Sequence, residues 1–345
     1  MSFADYTFLR DCQNILKDGY SDESLDVRPK WEDGTPAHTK KLFHVINRYD
    51  MVENGVPSIP VMTIRKTGFK NAIDEILWIY QKKSNVISEL RSHIWDSWDI
   101  GDGTIGKAYG YQIGVASPHH KAKDNDDLDG YPSAKIVDGV VWLDQMDAVL
   151  YDLKNNCASR SIMTNTYNHN DLFYMGLRPC AYSMTYNVVI DTEGNKVLNG
   201  LLNQRSQDML TANNWNVVQY SVLLHMIAQV CGMTPGVLTH MDADMHIYDR
   251  HMPIVQDLLD KNLAKVNQII VDSVGTPQFP KMIPQDKQQA VVDDMNHKIM
   301  FETPHKNPTF WINPEVKNFY DFTLDDFKLT DYETDEFSYK IEVAI

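Results

Sequence analysis

Apolar residues recur at near-helical spacing over residues 6–16, and Asp18-Gly19-Tyr20-Ser21-Asp22 then supplies turn chemistry, so a first helix is expected to stop there. Arg28 to Pro36 is polar and broken by proline and glycine, the pattern of a mobile surface loop. Residues 56–64 read as a strand. Residues 69–81 read as a helix with Ile73, Ile76, Leu77 and Tyr80 on one stripe and Glu75 off it, where a carboxylate is ordinarily solvated. A further helix is expected over 140–155. Residues 181–190 and 196–203 alternate or run apolar around Asp191-Thr192-Glu193-Gly194-Asn195, which predicts a hairpin. Residues 216–230 are apolar except for Asn216, Gln219, Ser221, His225 and Gln229, so a central buried helix is expected, with Gly232 as its stop.

Segments 117–139 and 275–306 lack apolar periodicity and read as surface inserts in one large α+β domain spanning residues 1–345. With 43% hydrophobic and 23% charged residues the chain has material for a sizeable core, which argues against disorder. A net charge of −15 repels DNA, RNA and anionic membranes, so neither nucleic acid nor membrane is an expected partner, and an anionic ligand would need a local arginine cluster. Cys12, Cys157, Cys180 and Cys231 show no CxxC pair and no zinc-ligand spacing, as in a reduced intracellular chain. With no signal-peptide order at the start and no run of ~18 apolar residues, a cytoplasmic location is expected.

Three segments carry candidate chemistry. Arg178-Pro179-Cys180 offers a thiol near a cation, although a lone cysteine is ordinarily a small buried hydrophobe. Asn203-Gln204-Arg205-Ser206-Gln207-Asp208 sets a guanidinium fork, a hydroxyl, amides and a carboxylate together after a strand, a natural phosphate grip or else a solvated turn. In a strand, Asp244, His246 and Tyr248 of Asp244-Met245-His246-Ile247-Tyr248 would share one face, either an exposed sheet surface or a wet site; too few ligands gather there for a metal.

These segments belong to a longer ordered series: Asp74-Glu75-Ile76-Leu77-Trp78, His93-Ile94-Trp95-Asp96-Ser97-Trp98, Ala108-Tyr109-Gly110-Tyr111-Gln112, Pro179-Cys180, Gln204 to Asp208, Trp215-Asn216-Val217, Ala228-Gln229-Val230 and Asp244 to Tyr248. In this order, over nearly the whole chain, they resemble the thymidylate synthase family. The closing run Ile341-Glu342-Val343-Ala344-Ile345 resembles that family's C-terminal latch. The resemblance implies a mixed β-sheet packed by helices, a homodimer, and reductive methylation of dUMP to dTMP with 5,10-methylenetetrahydrofolate as co-substrate and no metal.

The resemblance also implies residue roles. Cys180 would add to C6 of the uracil so that C5 attacks the one-carbon unit, with Arg205 holding both thiolate and phosphate, Glu75 ordering proton transfer and Tyr109 serving removal of the C5 proton. Phosphate would be bound by Arg28, Arg205, Ser206 and an Arg160 reaching across the dimer, although Ser161 stands where a second arginine is usual. Gln204 would bind the substrate and Asn216 would read the base, a carboxamide at 216 matching uracil where an Asp would suit cytosine; as a bare residue Asn216 could equally cap the helix. His246 and Tyr248 would bind the deoxyribose, and Asp208, Trp95, Trp98, Leu177, Trp215 and Ala344 the folate. Ala212 stands where glycine is common. A pyrimidine-nucleotide hydroxymethylase of the same superfamily is the nearest alternative, followed by a catalytically silent nucleotide-binding dimer.

Overall fold

A computed structural model of the chain describes residues 1–274 and 305–345. Ser2 and Asp5 open α1 (Phe3–Asp18) with a capping box, each side chain accepting the other's backbone N–H. A two-residue strand, β1 (Tyr20–Ser21), leads to β2 (Thr39–Asp50), which the sequence reading does not assign. The reason lies at its centre: Phe43 and His44 are both exposed and His44 takes φ +68°, which breaks the two-residue alternation.

The strand expected over 56–64 is confined to a short antiparallel pair, β3 (Val52–Glu53) with β4 (Val56–Pro57). Pro57 and Pro60 lack the N–H groups a longer ladder needs, and Ile59, Val61 and Met62 are buried in the core instead. The helix expected next is α2 (Phe69–Tyr80), followed by the short α3 (Gly110–Ile113).

Segment 117–139 is not the irregular loop expected. It supplies β5 (Ser117–Lys121) and β6 (Lys135–Val137), which flank β7 (Val140–Leu143) in a three-stranded antiparallel sheet. Most side chains of β5 and β6 face solvent, so the segment has no apolar period to reveal it. The helix expected over 140–155 accordingly starts late. Val140 and Val141 pair into the sheet, and Asp144 caps α4 (Gln145–Asn155) by accepting the Asp147 N–H at 3.0 Å. Of the second expected insert, 275–306, all but residues 305 and 306 lie outside the described residues.

The main sheet is mixed. Its strands run in the order β1, β2, β12 (Thr234–Tyr248), β10 (Lys196–Gln204), β9 (Ala181–Ile190) and β8 (Met163–Asn165), with β11 (Gln207–Asp208) added alongside β12. β10 and β11 are parallel to β12 and the other pairs are antiparallel. The hairpin turn is where it was expected, its Asp191 carboxylate accepting the N–H groups of Glu193 and Asn195. On one face α2 and α5 (Asn213–Val230) bury Trp78, Tyr80, Tyr220 and Ile227. β13 (Thr309–Ile312) and β14 (Phe327–Thr330) close that core with stacked Phe310 and Phe327. α1 and α6 (Met252–Val274) make a second core from Phe8, Cys12, Val255 and Leu258. The opposite sheet face stays open, presenting Ile46, Arg48, Met163, Leu201, Thr239 and Met241. All four cysteines are free thiols, and no described helix is long and apolar enough to cross a membrane. The architecture is the expected α+β class.

Candidate active site

The β9–β10 hairpin brings Cys180 and Arg205 together, because Cys180 directly precedes one strand and Arg205 directly follows the other. The Arg205 N–H donates to the Cys180 carbonyl at 2.9 Å, and Arg205 Nη2 lies 3.6 Å from Cys180 Sγ. The guanidinium is held there by the carbonyls of Pro179, at 2.9 Å from Nε, and Arg178, at 2.6 Å from Nη2. Burial pushes the Cys180 thiol up, while the charges of Arg205 and Arg28 draw it down; burial wins. Cys180 is thus held as a thiol with a guanidinium beside its sulfur.

The Tyr109 hydroxyl accepts the Cys180 N–H at 2.9 Å. Its backbone sits at φ +42°, ψ −104°, a conformation L-residues avoid, held by burial against Trp95 with ring centroids 5.2 Å apart. Burial drives its pKa well up, so the phenol keeps a proton to donate.

Glu75 is 5% exposed, contrary to its place off the apolar stripe, because α2 is buried almost all round. Three N–H donors converge on it: Trp95 Nε1 at 2.8 Å on Oε1, and Trp215 Nε1 at 2.6 Å and Gln219 Nε2 at 2.8 Å on Oε2. Burial raises its pKa against the pull of these bonds. Trp95 meets Trp98 edge-on at 5.5 Å, and half-buried Leu177 packs on the same core. Trp215 crosses Gly68 so closely that a Cβ there would stand 2.8 Å from the indole.

From Glu75 a line of amides runs on. Asn216 Nδ2 donates to Gln219 Oε1 at 3.0 Å, and Gln204 Nε2 donates to Asn216 Oδ1 at 3.1 Å. Asn216 lies three residues inside α5, so it does not cap that helix; Ala212 does, at φ −115°, where a Cβ causes no strain. On β12 the rings of His246 and Tyr248 stand edge-to-face at 5.1 Å, with His246 Nδ1 3.0 Å from Asp244 Oδ1. His246 is buried, not part of an exposed sheet face. β11 sets Asp208 beside His246, where its carboxylate accepts the N–H groups of Leu210 and Thr211. Burial raises the Tyr248 pKa, the charge on Asp208 adds to that and Arg28 opposes it, so these groups lie within electrostatic reach of one another. Half-buried Ser206 sits next to Arg205.

The family model for thymidylate synthase matches residues 6–288. The chain belongs to the thymidylate synthase family. The thymidylate synthase of Bacillus licheniformis is 36% identical over 348 aligned residues, covering 99% of this chain and 100% of that one. Thymidylate synthase 1 of Bacillus subtilis strain 168 is 38% identical, covering 93% and 91%. The solved thermostable thymidylate synthase A of Bacillus subtilis superposes with a TM-score of 0.73 at 34% identity, over 99% of both chains. Membership makes the chain a methyltransferase that forms dTMP, and the hydroxymethylase alternative is not favoured. Proteins of the thymidylate synthase family use methylenetetrahydrofolate as co-substrate, bind dUMP and are typically dimeric.

Other candidate residues lie at the rim of this cluster or away from it. Arg28 is exposed in the 28–36 loop, yet its charge reaches Cys180 and Tyr248. The loop is pinned: the Lys30 and Ile345 N–H groups donate to each other's carbonyls at 2.8 and 3.0 Å, and Arg250 joins Asp33 at 2.5 Å to Glu342 at 2.9 Å. The tail carrying Ala344 therefore lies along the Arg28 loop. Arg160 is exposed between α4 and β8, and none of the contacts around Cys180 includes it. Gln219, which links Asn216 to Glu75, has no candidate role in the sequence, although it shows there as a polar break in an apolar helix. His240, at the far end of the amide line, carries no motif at all. Among the described residues, no cluster of three or more His, Cys, Asp or Glu is placed to hold a metal ion.

Proposed function

We propose that Cys180 is the nucleophile of dUMP methylation. The observation that carries this reading is the Cys180–Arg205–Tyr109 cluster at the open end of the hairpin, beside the amide line that ends on Glu75. C5 of uracil is a poor nucleophile, and addition of the thiolate to C6 turns it into an enolate carbon. Arg205 steadies the thiolate, Tyr109 is positioned to serve removal of the C5 proton through water, and Glu75 organises proton transfer at O4. Asn216 reads the pyrimidine edge with Gln204 behind it, and His246 and Tyr248 take the 3′-hydroxyl.

Phosphate falls to Arg28, Arg205 and Ser206, with Arg160 of the partner subunit as a further fork. That cluster answers the −15 charge of the chain. Ser161 leaves Arg160 without an arginine neighbour. The dimer would form through the open sheet face, since Arg160 lies three residues before Met163 on that face. The folate fits Trp95, Trp98, Leu177 and Trp215, where the buried Trp98 Nε1 lacks a partner among the described residues, with Asp208 for the pterin and Ala344 in the closing tail. When bound, 5,10-methylenetetrahydrofolate supplies the one-carbon unit and a hydride. The reading uses no metal, treats 1–345 as one catalytic domain with inserts near 117–139 and 275–306, and places the protein in the cytoplasm.

The test is purified protein with dUMP and methylenetetrahydrofolate, followed at the dihydrofolate absorbance band with products identified by mass spectrometry. Dihydrofolate with dTMP is expected. A hydroxymethylated nucleotide without dihydrofolate, or no product, overturns the proposal.

A further inference from the structure

The amide line that ends on Glu75 begins at His240 on β12. His240 is fully buried, with Nε2 2.9 Å from Gln204 Oε1 and 3.1 Å from Asp242 Oδ1. Asp242 is equally buried, and among the described residues its carboxylate has no other polar partner than the His240 ring. Both groups facing Nε2 are acceptors, so the ring carries its proton there and donates it. The sense of Gln204 is fixed a second time, because its Nε2 also donates to the Ser206 carbonyl at 3.0 Å. Turned over, its oxygen would face that carbonyl and its amine would face the His240 N–H. The hydrogen bonds therefore run one way, from a ring N–H through Gln204, Asn216 and Gln219 to a carboxylate.

This direction decides what Asn216 has left to offer. One lone pair of Oδ1 is taken by Gln204 and one N–H by Gln219, which leaves one acceptor and one donor side by side. That pair complements N3–H and O4 of uracil. Cytosine presents an acceptor at N3 and an amine at C4. To meet it Asn216 would have to turn over, breaking both internal bonds and setting its oxygen against Gln219 Oε1, while Gln204 cannot follow.

We infer that His240, with Asp242 beside it, is a positioning residue that locks the sense of the Gln204–Asn216–Gln219 chain and thereby makes the site reject cytosine nucleotides. The inference rests on the assignment of Asn216 to the base edge. It reaches two residues that touch neither substrate nor folate in that assignment.

The test compares His240→Leu, which removes the donor, with His240→Gln, whose amide nitrogen can stand where Nε2 stood, and with the near-isosteric Gln204→Met. For each, dTMP formation from dUMP and inhibition by dCMP give a uracil-to-cytosine preference, and circular dichroism and Tm report the fold. His240→Leu and Gln204→Met are expected to lower the preference about tenfold, the loss of roughly one buried hydrogen bond, with His240→Gln restoring most of it. A folded His240→Leu with wild-type preference, or a His240→Gln as impaired as His240→Leu, overturns the inference. If His240→Leu does not fold, Gln204→Met decides: an unchanged preference overturns it. Asn216→Asp separates the two levels. Should it leave the preference unchanged, the base-edge assignment itself fails; should it shift preference towards dCMP while the His240 and Gln204 variants do not, only the lock fails.

Discussion

The interior amide line and the rim at the C-terminus solve opposite problems with the same kinds of group. Inside, Glu75, Gln219, Gln204 and His240 are each no more than 5% exposed, and every bond between them is short and has one sense. At the rim, Arg250 holds Asp33 and Glu342 through side chains that are all more than a third exposed, the tail exchanges a pair of backbone bonds with Lys30, and its Glu342 carbonyl meets the buried His251 Nε2 at 2.8 Å. A buried polar chain is costly to leave half satisfied, so it is set before any ligand arrives. An exposed ion pair is worth little and yields to salt, so the Arg250 pairs are the weakly held part of the rim. On the proposed assignment the pre-arranged polarity is the part that reads the base.

Cys180 lies at the centre of the pre-arranged side. Cys180→Ser is expected to cut dTMP formation by about a thousandfold or more with Tm unchanged, since serine keeps the space but not the nucleophile. Activity near wild type would remove the reacting centre from the account. Glu75→Gln tests the interior next. One of the three N–H donors would then face an NH2 group, and kcat is expected to fall about a hundredfold with a lower Tm, checked by steady-state kinetics and thermal unfolding.

Arg205→Met probes the charge on the thiol. Burial holds the Cys180 pKa up and Arg205 offsets part of that rise, so loss of the cation raises it further. At a given pH less thiolate is present, and the pH profile of iodoacetamide labelling should move to higher pH. A profile that stays in place would mean Arg205 does not act on sulfur. The smallest effect belongs to the rim. Arg250→Ala is expected to raise KM for folate about two- to threefold with kcat kept, and to make KM less sensitive to salt. An effect as large as that of Glu75→Gln would erase the contrast between the regions.

What could be seen in advance follows the same division. The hairpin around 191–195 and the apolar helix after 216 announce themselves because turn chemistry and apolar period are local signals, and together they place Cys180, Arg205 and Asn216. Strand β2 does not, because adjacent Phe43 and His44 both face outward, and β5 and β6 do not, because their side chains are mostly in solvent. Periodicity misplaces Glu75 for the converse reason: it assumes a solvated side to a helix that has almost none. The role of His240 has no local signal whatever. It exists only because β10 and β12 run side by side and bring Gln204 within reach.

Hydrogen–deuterium exchange with and without dUMP and methylenetetrahydrofolate tests the contrast most directly. Amides around Glu75 and over residues 213–219 are expected to be protected equally in both states, while those of 28–36 and 340–345 exchange quickly alone and slowly with ligands bound. Protection of 213–219 that appears only on binding, or a rim already protected without ligands, would contradict it.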